Sequence, residues 1–307
     1  MRQISNSEIQ TFKRCRRKWW LGFYRRLSRI DPQVSRPRDI GDLVHRRLDS
    51  YYSGGMEDDV LALLVQDQLE MKEAFPESQH EEIDQVVEFA RIMLEGYFEW
   101  VEETGADANL EVIGPERSIR VALPKVEGVE LMGKIDLQVY DHDRQSRAFL
   151  ETKTVSNFGD KESLAHMNEQ IYTYHLLERL ELLEQDIQTR TDGAVLNMLR
   201  RVKRTASAKP PFYKRMPIWH NDDELRAFFV RTIGVVKDIL SVESLLDAGA
   251  NPLEICYPTI DRSCTYMCEF FTVCPMVDDN RTDAEGYIAV SFRESDPYAR
   301  YKDDDSD

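Results

Sequence analysis

The sequence has no run of 18 uninterrupted apolar residues, which argues against a membrane-spanning helix. Its opening, Met1-Arg2-Gln3-Ile4-Ser5-Asn6, lacks the apolar core of a signal peptide. Five cysteines in 307 residues are too few for a disulfide framework. In a reducing compartment such cysteines, when clustered, more often mean metal or redox chemistry. These shortages together imply an intracellular, cytoplasmic protein. Positive charge is also in deficit: the net charge is −16, which at first argues against a nucleic-acid partner.

Distribution changes that reading. Thirteen Lys/Arg stand against four Asp/Glu from Met1 to Arg47, and seven Lys/Arg with no acid from Leu199 to Arg215. Candidate nucleic-acid contacts are therefore Arg14, Arg16, Arg17 and Lys18 in the first segment, and Arg200, Arg201, Lys203 and Arg204 in the second. A charge run is by default a solvated face, so these segments gain meaning only beside a site that acts on nucleic acid. Apolar residues make up 42% of the chain, enough for a sizeable core.

The first 110 residues read as mainly helical. Ser5 or Ser7 can cap a first helix, along which Phe12, Cys15, Trp19 and Phe23 share a face. Pro32 and Pro37 mark 30–38 as a loop. Helices follow over about 40–52, 58–75 and 80–103. The pattern then switches to period two, giving strands over 110–121, 129–140 and 147–155. A helix over about 161–183, a buried strand over 193–199, a strand near 214–219 and a long helix over 222–246 complete the pattern. We expect one α/β domain over 1–289. Its catalytic sheet core lies in 111–200, a basic loop and helix in 201–250, and a cysteine segment in 251–276. An acidic, disordered tail is expected over 290–307, closed by Asp303-Asp304-Asp305.

Chemistry concentrates on two neighbouring strands. Leu131, Ile135, Leu137 and Val139 share one face of a strand, and Asp136 points to the other. Glu151 and Lys153, two apart on the next strand, project to one side. A hairpin can join these three groups. Paired carboxylates suit a hard cation such as Mg2+ or Mn2+, which activates water and neutralises charge growing on a phosphate. A nearby lysine can orient that water or stabilise the transition state. Glu-x-Lys alone carries little weight: Glu70-Met71-Lys72 repeats it inside a helix. Two further patterns need a context. Gly41-Asp42-Leu43-Val44-His45 puts a histidine on the second helix, and Gln170 and Tyr174 share a helix face four residues apart. Gly128 to Lys134 spells most of a phosphate-binding loop, but Ile135 follows and the segment reads as strand, so ATP binding is rejected.

Cys264, Cys268 and Cys274 form a Cys-x3-Cys-x5-Cys pattern. Three thiolates can surround zinc or an iron–sulfur cluster, given a fourth ligand. Proximity in sequence favours Cys256.

In this order, His45, Asp136, Glu151 with Lys153, and Gln170 with Tyr174 resemble the PD-(D/E)xK nuclease superfamily, in its RecB-type branch with an iron–sulfur cluster. That branch includes the CRISPR-associated adaptation exonuclease, AddB-type nucleases and phage exonucleases. Ile9, Phe12 and Cys15 match its opening pattern, and the likeness spans about residues 5–276. It implies a restriction-endonuclease-like core: a mixed central sheet flanked by helices, with an N-terminal helical region and a C-terminal cysteine-rich segment. By resemblance, His45, Asp136, Glu151 and the Thr152 carbonyl hold Mg2+ or Mn2+. Lys153 is catalytic, and Gln170 and Tyr174 touch DNA. Cys15 joins Cys264, Cys268 and Cys274 around a 4Fe-4S cluster. Gly133-Lys134-Ile135-Asp136 departs from the family in having no proline before the aspartate, and Glu116, after Pro115, adds a further candidate carboxylate. The expected function is a metal-dependent DNA nuclease, most simply an exonuclease on ends or single strands, in recombination, repair or CRISPR adaptation. Recombination, helicase or CRISPR proteins, or further copies of the chain, are compatible partners. The alternatives are a catalytically silent DNA-binding scaffold of the same fold and a zinc-stabilised regulatory protein.

Overall fold

The computed structural model describes residues 1–31, 34–205 and 207–301. The elements run β1 (Arg2–Ser5), α1 (Asn6–Arg14), α2 (Arg16–Trp19), β2 (Leu27–Arg29), α3 (Arg36–Tyr52), α4 (Glu57–Ala74) and α5 (His80–Thr104). Next come β3 (Leu110–Ala122), β4 (Val129–Asp141), β5 (Ser146–Val155), α6 (Gly159–Glu162), α7 (Glu169–Glu184), β6 (Thr191–Arg200) and β7 (Tyr213–Trp219). The chain continues through α8 (Asp222–Asp247), α9 (Pro252–Ile255), α10 (Cys264–Met267), α11 (Val273–Asp278), α12 (Ala284–Ser291) and β8 (Phe292–Glu294). No helix among the described residues is long and apolar enough to cross a membrane.

By its contacts the chain divides into two compact units. One comprises Met1–Pro32, Arg120–Gly133 and Arg226–Asp307; the other comprises Gln33–Ile119 and Lys134–Leu225.

The second unit holds the catalytic candidates. β4 and β5 pair antiparallel from Leu137↔Leu150 to Asp141↔Ser146. β5 and β6 run parallel, β6 and β7 antiparallel, and β3 pairs with β4. The expected α/β architecture, a mixed central sheet flanked by helices, is therefore present. Strand alternation divides β5 between two helices. Phe149 packs edge-on to Tyr174 of α7, with centroids 5.9 Å apart. On the other face, Leu150 clusters with Leu137, Val139 and Ala148 under Tyr52 of α3. α3 packs on β5 at Gly41, where a Cβ would just reach van der Waals contact with the Thr154 hydroxyl at 3.4 Å. Val44, Leu48, Val60, Leu64, Ile83, Val86, Leu94 and Tyr97 form one buried cluster of α3, α4 and α5. Their spacings of three and four residues turn one stripe of each helix inward.

In the first unit, β1 runs parallel to the start of β4, with Ile4 opposite Leu131. Ser5 caps α1 by accepting the Glu8 N–H, as its position before the apolar stripe predicts. Glu8 is buried and fully engaged. It accepts from the Trp19 indole at 2.9 Å, from Arg2 at 2.5 Å and from the Tyr298 hydroxyl. Burying an unpaired carboxylate would cost several kcal/mol, and these donors offset that cost.

Four expectations differ from the structure. The first helix breaks at Cys15, whose extended backbone ends α1 and starts α2. The proposed loop before α3 is shorter: helix begins at Arg36, since Pro37 sits in the first turn, where no N–H partner is needed. The helix expected over 161–183 divides into α6, a 3-10 turn and α7, and Asn168 caps α7 through the Gln170 N–H. The segment from 290, expected as a disordered tail, instead forms the end of α12 and β8, paired antiparallel with β2. Tyr298 and Tyr301 there bury against Met132 and Phe23. The Asp303-Asp304-Asp305 run lies outside the described residues.

Glu178 of α7 is buried, accepts from the Gln138 amide at 3.2 Å, and leaves its second oxygen without a partner. Burial pushes its carboxyl up to about 7 against the pull of Arg147 and Gln138. The folded state thus prefers the acid, and the stability this group gives is complete below pH ~4.5 and lost as pH rises to about 7. Glu178→Gln should therefore gain on wild type by on the order of 2 kcal/mol between pH 5 and pH 8. Urea melts at both pH values would measure it; an equal difference at both would refute it.

Candidate active site

The β4–β5 ladder ends at Leu137↔Leu150, one step before the acidic residues. Beyond that point Asp136 substitutes for the missing strand partner: its carboxylate accepts the Thr152 backbone N–H at 2.8 Å. This fixes Asp136 against the strand that carries Glu151 and Lys153. From α3, His45 places Nδ1 3.3 Å from the same carboxylate oxygen. Lys153 contacts the Glu151 carboxylate and donates to the Gln170 side-chain oxygen at 3.1 Å. Gln170 in turn donates to the Tyr174 hydroxyl at 2.9 Å. Two helices, α3 and α7, and two strands, β4 and β5, thus supply all the residues expected at this site.

The charges are mutually dependent. Glu151 is 0% exposed, and its second oxygen has no partner. Burial first, and then the Asp136 charge, push its carboxyl up to about 7 against Lys153. Burial also works to raise Asp136, but His45, Lys153 and the Thr152 N–H outweigh it and hold the carboxyl low. Burial opposes protonation of His45, whose pKa nonetheless rises because of Asp136. Among the described residues, no three or more His, Cys, Asp or Glu side chains form a ready-made metal group. The donor chemistry still fits a hard divalent cation, because the Glu151 oxygen is buried, anionic when ionised and unsatisfied.

In the other unit, Cys15 accepts N–H bonds at sulfur from Lys18 at 3.5 Å and Thr259 at 3.4 Å. Cys264 Sγ contacts the Thr259 carbonyl at 3.9 Å. Burial raises the Cys268 thiol, and the neighbouring Cys15 and Cys264 sulfurs add to it. Burial likewise raises Cys274, with Cys15 and Cys268 contributing. Burial pushes the Cys256 thiol up to about 11, opposed by Arg17 and Arg16. Cys15 and Cys264 thus meet the same residue, Thr259, while Arg17 bridges the carbonyls of Cys256 and Cys274.

A model of the PD-(D/E)XK nuclease superfamily matches residues 3–275. The chain belongs to that superfamily. Comparison with curated proteins finds no significant match. Membership makes it a nuclease of a superfamily whose members generally use Mg2+ or Mn2+ and act on DNA.

Within this nuclease the basic residues do different work. Arg17 is 1% exposed and acts as an internal strut. It donates to the Cys256 carbonyl at 2.8 Å, to the Cys274 carbonyl at 3.3 Å and to Asp278 at 2.9 Å, so its guanidinium is not presented to DNA. Arg16 lies over the rings of Phe12 and Tyr257, while Arg14 is exposed and Lys18 half-buried. Sequence reasoning missed three supports of the site, two of which only neighbours far along the chain identify. Asn197 donates to Thr152 Oγ1 at 3.3 Å and to the Tyr97 hydroxyl at 3.0 Å. Arg215 donates to the same Tyr97 hydroxyl at 2.8 Å. Asn168 is the third, as the cap that starts α7 beneath Gln170. Glu116 lines one small cavity with His45, Asp49 and Asp136, at φ 40, and pairs with Lys134. Glu70 and Lys72 lie in α4 with other partners, Gln66 and Asp84. Gly128–Lys134 forms a turn and the start of β4, so the resemblance to a phosphate loop has no structural counterpart.

Asn197→Leu would leave the Thr152 hydroxyl and the Tyr97 hydroxyl each short of a donor in a buried setting. We expect a loss of about 1–3 kcal/mol in stability. Thermal and urea unfolding would measure it, and an unchanged midpoint would show that Asn197 is not a support.

Proposed function

We propose that this chain is a DNA exonuclease acting on ends or single strands, with His45, Asp136, Glu151 and the Thr152 carbonyl holding Mg2+ or Mn2+. The observation that carries the metal site is the buried, partnerless oxygen of Glu151 beside Asp136. When bound, such a cation would polarise a phosphate and lower the pKa of water. The chain's own residues supply position and charge. Asp136 is immobilised by the Thr152 N–H, so its lone pairs need no reorganisation. Lys153, oriented by Glu151 and the Gln170 oxygen, brings an ammonium to the strand end, where it can hold the attacking water or the charge growing on a phosphate oxygen. The Gln170–Tyr174 bond fixes the amide so that its oxygen faces Lys153. The exonuclease mode, and a role in recombination, repair or CRISPR adaptation, rest on the resemblance to the RecB-type branch.

We also assign a 4Fe-4S cluster to Cys15, Cys264, Cys268 and Cys274. Its support is the Cys-x3-Cys-x5-Cys pattern together with Thr259, whose N–H donates to the Cys15 sulfur and whose carbonyl meets Cys264 Sγ. Bound there, the cluster would fasten α1 and α2 to the C-terminal segment.

Three outcomes follow. Lys153→Ala should slow Mn2+-dependent cleavage of end-labelled DNA by roughly a hundred- to a thousandfold, with an unchanged melting temperature. Unchanged cleavage would sink the assignment of Lys153. Linear single-stranded DNA should be degraded and a covalently closed single-stranded circle should survive; equal loss of both would refute the exonuclease mode. Iron per protein should fall sharply in Cys15→Ser and persist in Cys256→Ser, with the reverse order overturning the ligand set.

A further inference from the structure

The two basic segments of the chain use their cations differently. In the loop after β6, Arg200 donates to the Lys209 carbonyl at 3.1 Å, and Lys203 sits 5.5 Å from the centroid of Phe89. Arg204 stacks 4.0 Å over Phe212, and the Arg201 N–H extends the β5–β6 pairing to the Val155 carbonyl at 2.7 Å. These contacts hold the loop to α5, β5 and β7. Residues 13–18 instead carry five cations and no acid around the one buried strut, Arg17.

The cysteine segment lies against residues 13–18 and presents rings to solvent. Among the described residues, three aromatic side chains are about half exposed or more: Tyr257 at 49%, Tyr266 at 72% and Phe271 at 50%. Every other described ring is buried or half-buried. Each of the three is tied to the basic segment. Arg16 stands 5.4 Å from the Tyr257 centroid. Tyr266 comes two residues after Cys264, whose sulfur meets the Thr259 carbonyl, while the Thr259 N–H reaches the Cys15 sulfur. Phe271 donates its N–H to the carbonyl of Cys268, a residue whose side chain feels the charge of Lys18. Asp261, held low first by Ser263, also feels Arg14.

The backbone beneath these rings is fixed. The Tyr257 carbonyl accepts the Arg17 N–H at 3.3 Å. Phe270, next to Phe271, is buried and stacks on Phe292 with centroids 5.3 Å apart. A lone exposed apolar residue is ordinary, but rings gathered beside cations mark an interaction site. Unpaired nucleotides offer both complements, flat base faces for the rings and phosphates for the cations. A duplex offers only the phosphates, since its bases already stack on one another. Exposed Ile260 and Met267 would suit a protein surface as well. The cation-rich 13–18 run, in a chain of net charge −16, favours a polyanion.

Resting on the nuclease reading above and deepening it, we propose that Tyr257, Tyr266 and Phe271 form a stacking platform for the bases of single-stranded DNA, with Arg14, Arg16 and Lys18 meeting its phosphates. The platform is blind to sequence, because every base has a π-face.

The test uses the full chain and a fluorescein-labelled oligothymidylate, with binding read by anisotropy in EDTA over a salt series. An abasic strand of equal length, which keeps the phosphates and lacks the bases, is titrated beside it. Wild type should bind the thymidylate roughly tenfold more tightly than the abasic strand. Tyr266→Ala and Phe271→Ala should each lose about five- to tenfold on the thymidylate and little on the abasic strand. Their slope of log K against log salt should not change, because stacking releases no counterions. Tyr266→Trp should keep the wild-type affinity. Arg14→Ala should weaken both strands and lower the slope by about 0.7. Unchanged thymidylate affinity in both alanine variants would overturn the proposal; altered self-association in those variants would then assign the rings to a protein interface. Equal losses on the two strands would overturn it as well, as the mark of a structural role. A wild-type protein that prefers thymidylate but never cuts DNA refutes the catalytic reading and leaves the platform intact. Cleavage without any preference for bases over the abasic strand does the opposite.

Discussion

Everything at the candidate active site depends on one backbone hydrogen bond, from the Thr152 N–H to the Asp136 carboxylate. Had β4 and β5 stayed in register past Leu137↔Leu150, that N–H would have met a carbonyl, and Asp136 would have been an ordinary strand residue. The strands part instead, and the freed N–H needs an acceptor because an unmade buried bond costs about as much as several surface contacts. Asp136 supplies the acceptor and is thereby held between His45 on one side and the Glu151–Lys153 strand on the other. The same hydrogen bond depresses the Asp136 carboxyl while its negative charge helps to raise that of Glu151. A single departure from sheet regularity thus sets both the geometry and the division of charge.

Three buried glutamates show how burial alone does not make a site. Glu8 has partners for both oxygens and fastens the chain's first strand and helix to Trp19 and Tyr298. Glu178 has one amide donor, lies away from any cation it contacts directly, and accommodates burial by favouring the neutral form. Glu151 also has an unsatisfied oxygen, but it sits between a lysine and a second carboxylate. Only that third setting presents two neighbouring carboxylates, the donor chemistry a hard divalent cation takes.

Much of the architecture was legible in the order of residues because it depends on local periodicity. The three-residue and four-residue apolar spacing of α3, α4 and α5, and the alternation of β3, β4 and β5, place those elements within a few residues of their observed ends. Reading failed where a single side chain rather than a pattern decides the backbone. Cys15 splits the first helix by capping α2 with its sulfur, and Asn168 restarts the chain as α7 by capping with its amide oxygen. The β2–β8 pair escaped notice because each strand has only three residues and its partner lies far away in the chain. Tyr298 and Tyr301 were lost with it, since an acidic run gives no sign that two tyrosines within reach of it are buried.

The site divides along the same line. Residue identity and strand phase alone put Glu151 and Lys153 on one face, because alternation along a strand is a property of the backbone. They also made the set His45, Asp136, Gln170 and Tyr174 recognisable by order, and superfamily membership follows from it. What the folded chain decided is which groups remain unsatisfied. That Arg17 is a strut, that Thr259 meets both Cys15 and Cys264, and that Asn197 supports Thr152 are facts about neighbours brought together over long sequence separations. Burial and hydrogen-bond satisfaction are properties of the packed surroundings, and no residue carries them in its name.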